Sequence, residues 1–440
     1  MMQRRLPTLV RSAMYALRGR FLIRPLLIAI VLGVAGAILS AAEEAIPEIS
    51  AWIPKVLFPS RQDPEVARAI LSVIATSIMT VVSIVFAILL MTLTLASTQF
   101  SPRILVSFVR DRSTQWTLGL FLGTFSYCMA ALPAARSLPI AFVPLVTVTV
   151  AMLLALACVG WLIFFIHHIS QSISVNHIVD RIARETELVI DDLAPRQRSR
   201  DLPEIKPVRT VEDELAILNR LSGYIRFIDI EYLVSVALSY GVCVRLERRV
   251  GHFVPEGVPV MRVSKGDGIT PEREAHLLAA LDIGPVRTLQ QDVEFGVIQI
   301  VDIALRAISP AVNDPSTAIS CVDQLSRILI RWLARAAPPV CYYAPPHVLR
   351  VILPWIGLEG LLNTAFEQIR HYARSDGAVS LRLLRAFDDI AATARDREVC
   401  TMLVQRARRV VEGCEARLSE DDFAMLQHRL LAMESKVTSR

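Results

Sequence analysis

Acidic, amide and hydroxyl side chains are concentrated between residues 292 and 318, where the sequence is DVEFGVIQIVDIALRAISPAVNDPSTA. Such groups ligate metal ions and transfer protons, so this stretch is the first candidate for chemistry. The residues of this candidate functional turn are Asp302, Arg306, Asn313 and Asp314. The first two are four residues apart and can simply pair along a helix. Pro310 can end that helix while Asp314 caps the next one and Pro315 fills its first turn, so we expect the turn to be structural before it is functional.

A second candidate is a stripe of small and hydroxyl side chains in the apolar stretch from Ala69 to Pro102, which carries no charge. The stripe recurs at steps of four and three, which places its members on one face of a helix: Thr76, Thr80, Ser83, Ala87, Met91, Thr94 and Thr98. The candidate pore-lining residues of this hydroxyl stripe are Thr76, Thr80, Ser83, Thr94 and Thr98. Such a stripe either packs against other helices or lines a water-filled passage. A helix over this stretch is roughly 50 Å long and exceeds a hydrocarbon core of about 30 Å.

Basic residues follow the stripe and predict a short amphipathic elbow at the inner membrane interface. Ser101 can cap a new helix with Pro102 in its first turn, and apolar side chains then share a face opposite the polar ones. The candidate inner-mouth residues on this elbow are Ser101, Arg103 and Arg110.

Other patterns give little support for an enzyme, a metal or a cofactor. His167, His168 and His177 are spaced so that a helix does not direct all three at one ion. The glycine-rich sequence GHFVPEGVPV at 251–260 resembles strands of lipoyl-type carrier domains, but no lysine follows at the apex of a tight turn, as such a domain needs. We therefore interpret it as a plain hairpin. No P-loop, GxGxxG, GxSxG or HExxH motif occurs in the sequence, so we predict no enzymatic activity, no metal and no cofactor.

The composition indicates a membrane protein joined to a sizeable soluble part. Of 440 residues, 53% are hydrophobic and only 20% are charged, and nearly all long uncharged runs precede His167. The net charge of +5 is small, and no Lys and Arg run is interleaved with aromatic residues, so nucleic acid is not an expected partner. The seven cysteines form no CxxC pair, which suits a reducing cytoplasm.

Four transmembrane helices are predicted, at about 25–42, 69–102, 115–135 and 140–166. The arginine-rich N-terminal segment and the basic elbow mark the cytoplasmic side, whereas the loop at 43–68 is net acidic and faces outward. The first span could imitate a signal peptide, but three further spans favour a retained helix. The expected protein therefore lies in a bacterial inner membrane, crosses it several times and has both termini in the cytoplasm.

Four regions are predicted along the chain: a four-helix transmembrane domain at 1–168, an amphipathic helix and linker at 169–209, a small α+β domain at 210–290, and a mainly helical domain at 291–440. The fold class is thus an α-helical membrane domain followed by a cytosolic α+β domain that becomes mostly helical. Helices are expected at 230–239, 293–307 and 316–335, and strands at 224–228, 242–248 and 258–263.

Several motifs together resemble a known bacterial family. These motifs are ASTQFSPRIL at 96–105, SGYIRFID at 222–229, GHFVPEGVPV, and DIALRAISPAVNDPSTAI at 302–319. They resemble the predicted membrane proteins catalogued as the domain of unknown function number two-two-five-four. The resemblance extends over nearly the whole chain and implies an inner-membrane protein, but it implies no catalytic residue or ligand. His252 departs from the family pattern, in which an acidic residue follows the glycine.

Two functions fit these features. The first is a homo-oligomeric passive channel or solute-permeation protein, in which the hydroxyl stripe lines the path and the cytosolic domain holds subunits together. The second is a membrane-anchored regulator or scaffold, whose cytosolic domain binds a partner or small effector. The absence of charge within the spans argues against a coupled transporter more than against a passive channel.

Overall fold

The computed structural model describes residues 23–46, 63–99, 112–136, 142–172, 174–193, 214–264 and 268–438. The chain divides into two compact units, which we call the first unit, residues 1–174, and the second unit, residues 175–440.

The described residues of the first unit form four long helices. They are α1, Ile23–Ala45; α2, Pro64–Gln99; α3, Arg112–Ala131; and α4, Leu145–Ser172. All four are long and apolar enough to cross a membrane, which confirms the prediction of four apolar helices. Helix α4 begins after Pro144, because a residue without an N–H is accommodated at a helix start. It therefore starts later than predicted and continues past His168.

The interior of the four-helix bundle is filled by apolar side chains. One cluster contains Leu71, Tyr127 and Val148, and another contains Val85, Phe121 and Phe165. Helices α1 and α3 contact each other at Gly119 and Gly123, which form a GxxxG pattern on α3, and at Gly36 of α1. A Cβ at Gly36 would lie 2.7 Å from the Tyr127 carbonyl oxygen, so the backbone contact requires glycine there.

The second unit begins with an amphipathic helix, α5, Val175–Leu193. Its buried face consists of Ile178, Val179, Ile182, Ala183, Thr186 and Ile190. Helix α5 packs on α8, Val293–Ala307, and on α9, Pro315–Leu333. At Gly296 the α5 and α8 backbones are so close that a Cβ would overlap Oγ1 of Thr186.

Two sheets follow α5. Their strands are β1, Glu214–Leu218; β2, Gly223–Ile228; β3, Val244–Leu246; β4, Phe253–Val254; β5, Pro259–Ser264; β6, Leu281–Gly284; β7, Cys341–Ala344; and β8, Val348–Ile352. The five-stranded sheet has the order β1-β5-β3-β8-β7, and the three-stranded sheet has the order β4-β2-β6. Only β3 and β8 pair in parallel, with Val244 opposite Val351, and the other pairs are antiparallel.

The parallel pair has a consequence for the domain organisation. Strand β3 precedes residue 290 and β8 follows it, so one sheet crosses the boundary predicted there. The sheet core contains Leu233, Val263 and Leu353 together with other buried aliphatic side chains. The segment predicted as a mainly helical domain at 291–440 thus contributes two strands to the α+β part.

The remaining elements of the second unit are helices. They are α6, Ile230–Ser239; α7, Pro271–Leu278; α10, Leu358–Tyr372; α11, Gly377–Thr393; α12, Arg397–Cys414; and α13, Glu420–Thr438. Asp229, Thr270, Asp292, Asp314, Asp376 and Asp396 each accept a backbone N–H at the start of one of the helices.

Candidate functional site

The hydroxyl stripe of α2 faces away from the rest of its own bundle. Thr76, Thr80, Ser83 and Thr94 are all exposed in the single chain. Ile78 and Val85, which lie on the other side of the helix, are 6% and 0% exposed because they pack against α3 and α4. The stripe is therefore not the face by which α2 packs on its own chain.

Each described hydroxyl of the stripe donates a hydrogen bond to its own helix. Thr76 Oγ1 lies 2.5 Å from the Ser72 carbonyl, Thr80 Oγ1 3.1 Å from that of Thr76, and Ser83 Oγ 3.0 Å from that of Met79. Thr94 donates to Leu90 O at 2.9 Å in the same way. These bonds satisfy the hydroxyl donors without a second helix, and the oxygens of Thr76, Thr80 and Ser83 can still accept hydrogen bonds from water or another chain.

Several residues predicted for this site lie outside the described set. Thr98 belongs to α2, but the position of its side chain is not among those described. The segment 100–111 is outside the described residues, and it contains Ser101, Arg103 and Arg110. The inner-mouth hypothesis therefore stays a prediction.

The candidate functional turn has the geometry of a helix cap. Asp314 Oδ1 accepts the Thr317 N–H at 3.1 Å, and its Oδ2 accepts the Thr317 hydroxyl at 2.6 Å. The Asp314 N–H donates to Ala307 O at 2.8 Å, which folds the turn back onto the end of α8. The hydrogen bonds from Thr317 lower the pKa of Asp314 and outweigh its partial burial. Pro315 occupies the first position of α9, as predicted.

The other residues of the turn are arranged around this cap. Asn313 is exposed and adopts a left-handed φ of 49°, which asparagine tolerates better than most residues. Arg306 is exposed near the end of α8, and Asp302 is half-buried one turn earlier. The pairing of Asp302 with Arg306 stays a prediction.

A buried ion-pair network, which the sequence did not suggest, lies at the start of α8. Arg287 binds Asp292 through two nitrogens, at 2.7 and 2.9 Å. Glu294 accepts from Arg287 at 3.0 Å and from Thr364 on α10 at 3.1 Å, and lies 3.1 Å from Arg249. This network joins the loop after β3, the loop after β6 and helices α8 and α10.

The charges of the network stabilise one another. Burial alone would raise the pKa of Glu294, but the hydrogen bonds and charges of Arg249 and Arg287 lower it. The Asp292 side chain is only 2% exposed, and its Oδ1 also caps α8 by accepting the Phe295 N–H at 3.1 Å. With its acids held as paired carboxylates, the network stabilises the fold rather than offering a free base.

The network also explains the glycine of the motif GHFVPEGVPV. Gly251 has a φ of +87°, and a Cβ there would overlap the Asp292 carboxylate. His252 beside it is half-buried, and burial together with the charge of Arg249 lowers its pKa, while Glu294 opposes the shift. Strand β4 begins at Phe253, so this motif is a turn leading into a strand that pairs with β2.

A ladder of ion pairs fixes α5 to α9. Arg327 contacts Glu187 at 2.5 Å and Asp180 at 2.9 Å. Arg331 and Arg335 both bind Asp191, at 2.5 and 2.6 Å. The sequence signal for this ladder is the four-residue spacing of Arg327 and Arg331 on α9 and Arg335 just after it, against acids on the polar face of α5.

Glu43 is a second residue that sequence reasoning missed. The prediction placed it in the outward loop, but it lies in the last turn of α1 and is 1% exposed. Its carboxylate accepts the N–H groups of Val146 and Thr147, at 2.7 and 3.1 Å, and the Thr147 hydroxyl at 3.0 Å. An acid of the first helix therefore caps the N-terminus of the fourth.

The candidate residues do not form a ligand cluster. Within the described ranges, no group of three or more His, Cys, Asp or Glu side chains is placed to hold a metal ion. Asp314 and Asp292 are engaged in capping, and Glu294 is engaged in ion pairs. The arrangement thus offers structural contacts and a polar outer face on α2, rather than a constellation of reactive groups.

Comparison with known proteins places the chain in a family. It is 32% identical over 384 residues to an uncharacterized protein of Mycobacterium bovis and to uncharacterized proteins of two Mycobacterium tuberculosis strains. The alignment covers 85% of this chain and 73% of each relative. No solved structure matches the chain. A family model described as "Predicted membrane protein (DUF2254)" matches residues 18–389, and the chain belongs to this family of predicted membrane proteins.

Proposed function

We propose that this membrane protein is a passive channel formed by several copies of the chain. In this proposal the hydroxyl stripes of neighbouring α2 helices together line a water-filled path. The observation that carries the proposal is that Thr76, Thr80, Ser83 and Thr94 are exposed on the side of α2 opposite its buried face. A hydroxyl gains nothing from facing acyl chains, so an outward polar stripe favours a second copy or water as its neighbour.

The packing of the bundle supports a path between chains rather than through one. Phe121, Phe165 and Leu118 fill the space between α2, α3 and α4, each at most 1% exposed. The hydroxyls of the stripe point away from this interior. A homo-oligomer is therefore part of the proposal, with the second unit holding the copies together.

Passive permeation fits better than coupled transport. Along the described parts of the four helices, charged residues lie near the ends, as with Arg24, Glu43 and Arg68. Glu43 is already bound by the start of α4. Coupled transporters commonly place an accessible ionisable group near the middle of the membrane.

We further propose that the protein lies in the bacterial inner membrane with both termini and the second unit in the cytoplasm. The arginine-rich first residues support this orientation, as does the net negative charge of residues 43–68, which include the end of α1 and the start of α2. A reporter fused after Arg440 should give a cytoplasmic signal. A periplasmic signal would contradict the orientation.

Cysteine accessibility tests the channel. In a background without native cysteines, single cysteines at Thr76, Thr80, Ser83 and Thr94 should react with a membrane-impermeant thiol reagent in reconstituted protein. Thiolate formation requires water, so a lipid-facing or dry position reacts slowly. We expect stripe positions to react at least roughly tenfold faster than lipid-facing ones, since the reacting thiolate is scarce away from water.

The structure supplies a matched control for this experiment. Leu153, Leu156 and Val159 on α4 are 60%, 69% and 58% exposed in the single chain and lie in an apolar span. Cysteines there share the exposure of the stripe but not its polarity. Equal reactivity at both sets would mean that α2 faces lipid, and the channel would be abandoned.

The ion-pair ladder favours one alternative, a membrane-anchored regulator. Helix α5 follows α4 in the chain after only residues 173 and 174, and the ladder binds α5 to α9. Such a linkage suits transmission of a signal from an effector or partner. Small-ion flux into liposomes separates the two functions, because the regulator predicts no flux while the channel predicts flux that is blocked by thiol modification at Ser83→Cys.

A further inference from the structure

An arginine-rich seam lies between α10 and α12, away from the features described above. Arg370 lies in the last part of α10 and Arg374 follows the end of this helix, while Arg406 and Arg409 lie on α12. Arg370 Nη1 donates to the Arg409 carbonyl at 3.4 Å, and Arg370 and Arg374 both lie close to Gly413 of α12. The seam therefore contains four arginines, from α12 and from the end of α10 with the residues just after it.

Arg406 is buried without a partner. The residue is 7% exposed, and its Nε is enclosed with no hydrogen bond. Within the described part of the chain, no carboxylate lies within 4 Å of its guanidinium. Arg374 Nε is also enclosed without a hydrogen bond, although its Nη2 lies 2.6 Å from Nδ1 of His371.

The acids near the seam do not satisfy Arg406. Glu367 is ion-paired with Arg370 on its own helix. Glu359 is exposed and acts on Arg406 only at longer range. Burial lowers the pKa of the Arg406 guanidinium and Arg409 lowers it further, while Glu359 and Glu367 oppose the shift.

A guanidinium that is desolvated without a counter-ion is costly, so buried arginines are normally paired. Arg406 keeps 7% of its surface exposed, and Nε is the nitrogen of its guanidinium that is fully enclosed without a hydrogen bond. An anion arriving from solvent can therefore reach the exposed part of this residue. Arg409, one turn further along α12, is exposed and has no carboxylate within 4 Å among the described residues.

We propose that this seam is an anion-binding site for a phosphate group, with Arg406 and Arg409 as its direct ligands and Arg370 supporting them. A planar guanidinium donates two parallel hydrogen bonds to phosphate oxygens, and two arginines suit a doubly charged group. The phosphate group belongs either to a soluble ion or metabolite or to a lipid headgroup. The proposal is independent of the channel, because it concerns only residues of the second unit.

The test uses the full chain in detergent, with inorganic phosphate as the probe and chloride at equal ionic strength as the reference. Phosphate should raise the thermal midpoint of the wild type and bind measurably by calorimetry. Arg409→Gln should weaken phosphate binding roughly tenfold or more, because it removes a charged hydrogen-bond donor. Arg409 is exposed, so this variant should fold normally.

Arg408→Gln is the matched control, since Arg408 lies on the same helix and binds Glu434 at 2.6 Å instead. It should retain the affinity of the wild type for phosphate. Equal affinity in Arg409→Gln and Arg408→Gln, or no phosphate response in the wild type, would overturn the proposal.

Arg406→Met separates binding from a purely structural role. Without phosphate its midpoint should be no lower than that of the wild type, because an unpaired buried charge is removed, and phosphate should add no stabilisation. A midpoint lowered equally in both buffers, with phosphate binding retained, would show that Arg406 serves only the fold. Vesicles then distinguish the source, because phosphatidylglycerol, but not phosphatidylcholine, should compete with inorganic phosphate if a headgroup is the ligand.

Discussion

Helices α2 and α5 treat their polar side chains in opposite ways. On α2 the outward hydroxyls donate to carbonyls of the same helix. On α5 the acids bind arginines of α9, about 140 residues away in sequence. Polar groups that bond within their own helix do not determine what packs against that helix. Charges that pair between two helices do determine which helix is the neighbour. Removing a polar contact between two elements should therefore lower the stability of the fold. Removing a polar contact within one helix should change stability little, and accessibility to solvent is the informative measurement there.

The largest loss of stability is expected where buried charges on different elements pair with one another. Arg287→Met leaves Asp292 and Glu294 without their shared partner, and a buried carboxylate stripped of its counter-ion costs about 3–5 kcal/mol. Thermal unfolding of the detergent-solubilised protein should show this as a large decrease in the midpoint. Arg395→Met, at an exposed site in the same unit, is the control. A thermal midpoint unchanged by Arg287→Met would mean that Arg287 does not pair with Asp292 and Glu294 in solution.

A smaller loss is expected at Asp314, whose contacts span only three residues. Asp314→Ala should decrease the free energy of unfolding by about 0.5–2 kcal/mol, because the first turn of α9 loses its cap. Asp314→Ser should be largely tolerated, since a serine hydroxyl accepts the same backbone N–H. If Asp314→Ser keeps the thermal midpoint but abolishes permeation or ligand binding, the turn has a chemical role besides capping.

The ladder between α5 and α9 predicts a modest dependence on pH. Hydrogen bonds from Arg331 lower the pKa of Asp191, with Arg335 adding to the shift and partial burial opposing it. Because the pKa of Asp191 is lower in the folded chain than in the unfolded chain, where it is about 3.9, the ionised carboxylate stabilises the fold at pH values above about 3.9. This stabilisation is lost as the pH falls through the pKa of the folded chain. Thermal midpoints between about pH 6 and pH 3 should decline less steeply in Asp191→Asn than in the wild type. Asp192→Asn, at the exposed neighbouring position, should behave like the wild type.

The smallest effect is expected on the stripe itself. Ser83→Ala should change the free energy of unfolding by less than about 0.5 kcal/mol, because the serine bonds only its own helix. Thr117→Val is the matched inward hydroxyl, since Thr117 accepts the Trp161 indole N–H at 2.9 Å. That variant should cost about 1–3 kcal/mol by leaving a buried donor unpaired. An equal loss in the free energy of unfolding for the two variants would show that Ser83 is buried against another chain. The stripe would then be a packed interface between chains rather than the lining of a water-filled path.

The sequence predicts local features of this fold well. We predict α8 at 293–307 and α6 at 230–239, and both occur there because Asp292 and Asp229 cap their starts and Pro310 follows the end of α8. Strands β7 and β8 are not predicted, because strands of four and five residues carry little periodic signal, and β8 also pairs with β3 about a hundred residues earlier in the chain.

The same limit applies to the candidate site. Asp314 could be assigned as a cap from its neighbours alone. The contacts of Glu294 with Arg249 and Thr364 could not be predicted, because those residues are 45 and 70 positions away. The GxxxG pattern at Gly119 and Gly123 was a readable signal for close packing on α1 that sequence reasoning passed over.

The Glu43 contact has a consequence for how the chain is assembled in the cell. Helix α1 leaves the ribosome before α4, so the N–H groups of Val146 and Thr147 meet their acceptor only after all four helices have been inserted. The contact between the first and last helix therefore cannot form before α4 has been synthesised. A chain without α1 would lack the carboxylate that accepts these two N–H groups, and we expect the first turn of its α4 to be less stable.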